Sequence, residues 1–390
     1  MDPDLSSLDE RLTDENADGY LIHADNTDSN QRYLSGFDAP DPFTTVYTPG
    51  ETHLLVSGLE YGRAKTESRA DTVTRLSAYD YREKVARHGS TRGAHLTVTD
   101  FLDDRGVESA LVGSRFPLGL ADALRERGVS VAPESDDTVM NIRSTKTDEE
   151  IDHVRTSQRA NEAAMRAAQD LIERASVDGD HLVVDGKILT SERVKEEIEV
   201  TLLRHGCGLD ETIVACGADG ADPHDRGGGP LAPEEPIVID IFPRSKSTRY
   251  HADMTRTVVK GEPSEEVMRR HETTREAMAA AFDALEPGTT GETVHGRVCT
   301  VYESAGYATL RSDESTETGF IHSTGHGVGL DVHELPRVAP SGGELEPGHV
   351  VTIEPGLYDP AVGGLRIEDL VVITEDGYEN LTEYPKNLRM

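Results

Sequence analysis

The chain has 390 residues, and 73 Asp and Glu against 39 Lys and Arg give it a formal net charge of -34. A field of that sign repels phosphate backbones and anionic lipid, which makes nucleic acid and membrane surfaces poor partners. No apolar run approaches the roughly 18 residues of a spanning helix.

Cys207, Cys216 and Cys299 have no paired spacing, which argues against a disulfide framework or a thiolate zinc site. The opening stretch MDPDLSSLDERLTDE has neither the basic nor the apolar region of a secretion signal. The expectation is a reduced, cytoplasmic protein of two or three domains. Hydrophobic residues make up only 36% and there is no Trp, yet apolar runs such as Ile237-Val238-Ile239 and Leu370-Val371-Val372-Ile373 are compact, unlike those of a disordered chain. Only eight of the basic residues are Lys. An acid-rich, Lys-poor chain of this kind has a halophilic composition, in which salt screens the self-repulsion.

In chain order, residues 1–142 read as a small α/β domain. Tyr20-Leu21-Ile22 is a short strand, and Thr44–Tyr47 and His53–Val56 flank Pro49-Gly50-Glu51 as a hairpin. Ala110–Val112 leads through a Leu118–Arg127 helix to Val129–Val131. No nucleophile-and-base constellation occurs there. Residues 143–390 open with a capping box, Thr147 and Glu150, before Ile151, Val154, Met165, Ala168 and Ile172 at helical spacing. Further helices are expected from Ser191 to His205, Glu265 to Leu285 and Thr293 to Ala305, with strands at 237–242, 250–259, 350–354 and 365–373. Helices followed by strands, twice over, read as α+β with an internal pseudo-repeat.

Most carboxylates in so acidic a chain are solvated surface. Asp240 is different, because both alternating faces of Ile237–Phe242 are apolar. Glu354 closes Val350–Ile353, and Glu368 interrupts Leu365–Val371. A buried carboxylate must be paired or bound to a cation. Arg pairing explains any one of them, whereas three in one half of the chain shift the reading toward a shared cation. The hairpin that follows Asp240 could return Asp253 beside it. His322, His326 and His333 fall within twelve residues threaded by glycines, which argues for a strand or loop rather than a helical HExxH pair.

With these motifs in view, residues 143–390 resemble the pita-bread metallopeptidases of family M24. The first half, with Asn30–Phe37 early on, resembles the N-terminal domain of the Xaa-Pro aminopeptidases and Xaa-Pro dipeptidases (prolidases). The resemblance implies an α+β fold: a C-terminal pita-bread domain with a smaller N-terminal α/β domain. It also implies two divalent metals on Asp240, Asp253 (in D-x-T-R-T), His326 (G-H-G-V-G), Glu354 (T-I-E-P-G) and Glu368 (R-I-E-D). His224 matches the family's upstream active-site His, and His322 and His333 match the pair flanking the metal-binding His. One departure is visible: the two aspartates are thirteen residues apart rather than the usual eleven. An even insertion leaves the face of Asp253 unchanged.

The implied donor set is hard and oxygen-rich, suited to Mn²⁺ with Co²⁺, Zn²⁺ and Fe²⁺ as alternatives, and a metal-bridging hydroxide would be the nucleophile. In that scheme Glu354 accepts the water's proton and His224 supports the oxyanion. His333 helps protonate the leaving prolyl nitrogen, and His322 lines the proline pocket. Arg366 orients either a ligand carboxylate or the substrate's C-terminus, or simply pairs with a buried acid. The leading expectation is hydrolysis of the Xaa-Pro bond of short proline-containing peptides by a homodimeric dipeptidase or aminopeptidase. The alternatives are another M24 hydrolase, such as a methionine aminopeptidase, and a non-catalytic ligand-binding relative.

Overall fold

The computed structural model describes residues 3–390, so the first two residues of the opening stretch lie outside the described residues. The chain divides into two compact units, one ending at Arg143 and the other running from Ser144 to Met390. No helix among the described residues is long and apolar enough to cross a membrane.

The first unit is built on a six-stranded sheet in the order Thr72–Arg75, Glu51–Val56, Phe43–Thr48, Gly19–Ala24, Ser109–Val112, Ser130–Pro133. The hairpin around Pro49-Gly50 is antiparallel, with Thr48 opposite Glu51, and Gly50 supplies the left-handed residue of its turn at φ 80°. The outer pairs are parallel. Helices Ser90–Asp103 and Leu118–Arg125 bring Phe101, Leu102, Leu120 and Leu124 onto Leu21, Val46 and Leu55.

The second unit repeats one plan. Helices Asp148–Glu173 and Ser191–Arg204 pack on a three-stranded antiparallel sheet, Thr212–Cys216, Ile237–Ile241 and Met254–Val258. Helices Glu265–Phe282 and Gly291–Ser304 pack on a five-stranded one ordered Glu334–Val338, Gly325–Gly327, Val350–Ile353, Asp369–Thr374, Gly377–Asn380. All four helices start on a Ser or Thr whose side chain accepts a backbone N–H: Thr147, in a full capping box with Glu150, then Thr190, Ser264 and Thr290. Each such cap contributes about 1 kcal/mol. Met165, Ala168, Ile172, Val194, Ile198 and Leu202 bury against Ile237, Ile239 and Ile241. The other face of that strand, carrying Val238 and Asp240, therefore points away from the helices.

Two expected strands are shorter or broken. The segment after Tyr250 is a continuous strand only from Met254, because Tyr250 and Ala252 bond back into the loop, to Ser245 N–H and Pro243 C=O, and His251 bridges to Arg244. The run expected over 365–373 is two strands. Gly363–Arg366 pairs with Gly356–Asp359, and Asp369–Thr374 pairs with Val350–Ile353. Between them Ile367 N–H donates to Pro355 C=O and Glu368 N–H to Thr255 C=O, so the chain crosses from one sheet to another at this point.

Candidate metal centre

Asp240 sits in a strand buried along its whole length. It lies opposite Thr255 in the antiparallel register with Met254–Val258. Asp253, two residues before Thr255, therefore projects from the same sheet face. It is 4% exposed, and Asp240 is 8% exposed. Glu354 follows the last residue of Val350–Ile353, and Glu368 occupies the crossing between sheets and is 2% exposed.

His326 lies in the three-residue strand Gly325–Gly327. A Cβ on Gly325 would lie 1.9 Å from Thr352 O, and one on Gly327 would lie 2.1 Å from Leu335 O. The flanking glycines are thus required by close backbone approach, which presses His326 against the Glu354 strand.

One ligand atom from each of Asp253, His326 and Glu368 lies within 4.8 Å of the other two. Glu354 joins them through His326, whose Nε2 is 3.5 Å from Glu354 Oε1 and 3.8 Å from Asp253 Oδ2. His326 Nδ1 is 3.1 Å from the Gly327 carbonyl. A carbonyl only accepts, so Nδ1 carries the hydrogen and Nε2 turns a lone pair toward the carboxylates. Asp240 is attached through Arg366, whose Nη2 donates to Oδ2 at 2.7 Å. Its other oxygen, Oδ1, is buried with no hydrogen-bond partner.

Electrostatically the cluster is overloaded with negative charge. Burial, reinforced by Glu368, Asp240 and Glu354, pushes Asp253 well above the usual carboxylate range. Burial and the neighbouring Glu354 and Asp240 do the same to Glu368. Burial raises Glu354 to about 7 against the opposing pull of Arg366, and burial lowers His326 and His322 to about 3. Four carboxylates, one of them with an orphaned buried oxygen, and a neutral imidazole lone pair converge around a single guanidinium. Hard divalent cations fit that donor set.

The remaining expected residues also lie around this centre. His333 is exposed, and its ring stands edge-on to His326 with centroids 4.2 Å apart. His224 is on an exposed loop, its N–H bonded to Asp222 Oδ1 at 2.9 Å, and its field acts on both His322 and His333. His322 has its Nδ1 2.7 Å from Ser323 O, which leaves Nε2 to accept from the Tyr358 hydroxyl at 3.0 Å. Arg366 is 4% exposed, and each of its nitrogens meets a protein acceptor: Nη2 at Asp240, Nη1 at the Tyr358 hydroxyl (2.7 Å), Nε at Thr255 Oγ1 (3.1 Å). Its pairing with Asp240 fits two of its expected roles alike, orientation of a ligand carboxylate and pairing with a buried acid.

Two members of the site are absent from the sequence reading. Thr255 donates to Glu368 Oε2 at 2.8 Å while accepting from Arg366. Its signal was available, since alternation puts Asp253, Thr255 and Thr257 on one face of a buried strand. Tyr358 links Arg366 to His322. Nothing local marks it, because its position depends on the pairing of Gly356–Asp359 with Gly363–Arg366.

Comparison with known proteins places this geometry in a family. Residues 152–375 match the model described as metallopeptidase family M24, and residues 5–156 match the creatinase/prolidase N-terminal domain. The chain is 30% identical over 363 residues to the Xaa-Pro dipeptidase of Pyrococcus furiosus, covering 92% of each chain. Its fold is similar to that of the prolidase from Pyrococcus horikoshii OT3, with a TM-score of 0.80, 27% identity and coverage of 98% of this chain and 99% of that one. An X-Pro aminopeptidase from Thermotoga maritima gives a TM-score of 0.80 at 25% identity, covering 98% of this chain and 100% of that one. The two-part creatinase/prolidase-like architecture expected from the motifs is the architecture of this chain.

Proposed function

The chain belongs to metallopeptidase family M24, and on that premise we propose that it hydrolyses the Xaa-Pro bond at the N-terminus of short peptides, as a dipeptidase or aminopeptidase. Relatives named for Xaa-Pro cleavage support the substrate class. The observation that carries the reading is the His326 Nε2 lone pair facing Asp253 and Glu354, with Glu368 within 4.8 Å. Without a cation that arrangement is repulsive.

Asp240, Asp253, His326, Glu354 and Glu368 would hold two divalent ions, Mn²⁺ first and Co²⁺, Zn²⁺ or Fe²⁺ as alternatives. The chemistry such ions supply is an acidified water and a polarised carbonyl. Glu354, whose Oε1 lies 3.5 Å from His326 Nε2, would accept the proton of the acidified water. His224 donates to the carbonyl oxygen as it gains charge, and His333 delivers a proton to the leaving prolyl nitrogen. His322, its ring fixed from both sides, walls the proline site. Arg366 and Thr255 are positioning residues that orient Asp240 and Glu368. Catalysis is thereby assigned to residues 143–390, and 1–142 carries none of it.

Hydrolysis of Ala-Pro and Ala-Pro-Ala tests the reading. Activity should vanish in chelator and return with Mn²⁺. Full turnover by metal-stripped protein would defeat it.

A further inference from the structure

Six residues, Val328 to His333, connect the strand that carries His326 to the strand that begins at Glu334. His333 ends this loop, exposed and edge-on to the His326 ring. Among the described residues no hydrogen bond reaches the His333 imidazole, so its direction is set by the backbone that bears it. Sheet pairing alone does not fix that backbone. His326 lies opposite Arg337 but Gly327 opposite Glu334, so the register slips where the loop closes.

A buried ion pair takes over at this point. The Glu334 and Lys146 side chains are each 1% exposed, and Glu334 Oε1 accepts from the Lys146 ammonium. Oε2 accepts the Asp331 N–H at 3.4 Å, so the same carboxylate reaches back into the loop. A Cβ on Gly329 would lie 2.2 Å from Oε1; the loop folds over the carboxylate and needs a glycine where it touches it. Behind the pair, Lys146 donates its backbone N–H to Gly348 C=O at 2.9 Å and its ammonium to Ser144 C=O at 3.2 Å. The His333 loop is thereby tied to the approach to Val350–Ile353, the strand that delivers Glu354. An ion pair this deep is a poor source of stability, because apolar residues of similar volume in its place are often neutral or stabilising. What it supplies is placement.

We propose that Lys146 and Glu334 are positioning residues that aim His333 at the leaving prolyl nitrogen. The proposal rests on the Xaa-Pro reading and on the proton delivery assigned there to His333. Cleavage leaves the electron pair of the broken C–N bond on that nitrogen, and the proton it takes from His333 is replaced by the one released from the attacking water.

The test compares Ala-Pro with alanyl-thiazolidine-4-carboxylate on the Mn²⁺-loaded enzyme. Ring sulfur makes the leaving nitrogen less basic, so it departs with less help from an acid. H333A should lose about 100-fold in kcat on Ala-Pro and clearly less on the thiazolidine. K146M/E334M, which replaces the pair by apolar side chains, should lose about 10–100-fold on Ala-Pro with the same sparing of the thiazolidine. Its KM and Mn²⁺ stoichiometry should stay unchanged. Adding H333A to that double variant should cost nothing beyond H333A alone, because the two act through one group. E334D keeps the charge and withdraws the carboxylate by one methylene; it should give the same pattern with a smaller loss and serves where the double variant does not fold. Equal losses on both substrates, additive losses in the triple variant, or an H333A enzyme as fast as the unaltered one overturns the inference and leaves the Xaa-Pro reading standing. Absence of turnover of both substrates by the unaltered enzyme overturns both.

Discussion

Replacing Asp253 by Asn should move stability in opposite directions with and without metal. In the ion-free protein, ligand atoms of Asp253 and Glu368 lie within 4.8 Å, where two unit charges repel by about 3.5 kcal/mol at an effective dielectric of about 20. Arg366 and proton uptake relieve part of this, and about 2 kcal/mol left to remove corresponds to a rise in Tm of about 4–8 °C. The sign of the pH dependence agrees. The folded pKa of Asp253 lies above its unfolded value, so its contribution is intact below about pH 4 and is lost as pH rises through the folded value. With Mn²⁺ the order reverses, because a ligand at 100 times its Kd stabilises the native state by about 2.7 kcal/mol and an amide is the weaker ligand. Thermal melts of both proteins at constant KCl and neutral pH, in chelator and in excess Mn²⁺, decide the matter. If D253N melts below the unaltered protein in chelator, or if Mn²⁺ shifts both equally, the carboxylate cluster is not a cation site.

Thr255→Val removes a hydrogen bond to Glu368 and one from Arg366; Mn²⁺ affinity, measured by titration, should fall about 10–100-fold as for other outer partners of metal ligands. With a net charge of -34, Tm should climb by several degrees between 0.1 M and molar KCl as the screening length falls from about 10 Å to about 3 Å; a salt-independent Tm would refute the halophilic reading. His349 is held near 4 by burial and by Lys146, and its Nδ1 accepts the Glu346 N–H. Its folded pKa is depressed, so its contribution is complete above about pH 6.5 and is lost as pH falls toward 4; denaturant titrations should show H349Q with a shallower loss of stability over that window.

How far the sequence could be read depended on whether a residue's partners were near it in the chain. Asp240 stood out because apolar residues on both faces of Ile237–Ile241 bury it, and the glycines beside His326 marked close backbone approach before any neighbour was known. The capping box at Thr147 located the start of the long helix. The strand break at Ile367-Glu368 was not legible, because both sides of it are apolar and β-prone. What ends the strand is a pair of hydrogen bonds to Pro355 and Thr255, the second more than a hundred residues away. The short strand Thr212–Cys216 went unread for a similar reason: five residues carry little periodicity, and its pairing with Ile237–Ile241 defines it. Tyr358 and Arg366 acquire their meaning only when distant hairpins meet.

The crossing at Arg366–Glu368 makes the scaffold unequally tolerant of change in length. Arg366 belongs to one strand pair, Glu368 donates its backbone to the Thr255 strand, and Asp369 begins another pair. One residue gained or lost there would turn either the guanidinium or the carboxylate out of the cluster. The loop from Phe242 to His251 is held more lightly, by the two-residue pairing of Arg244–Ser245 with Cys207–Gly208 and a bridge from Arg244 to His251, while the register of Ile237–Ile241 with Met254–Val258 is anchored by side chains buried on both strands. Insertions in that loop can remodel what lies beside the carboxylate cluster while the cluster keeps its shape. Variation in lineages of this fold should accordingly gather in the loop, and indels at the crossing should be purged.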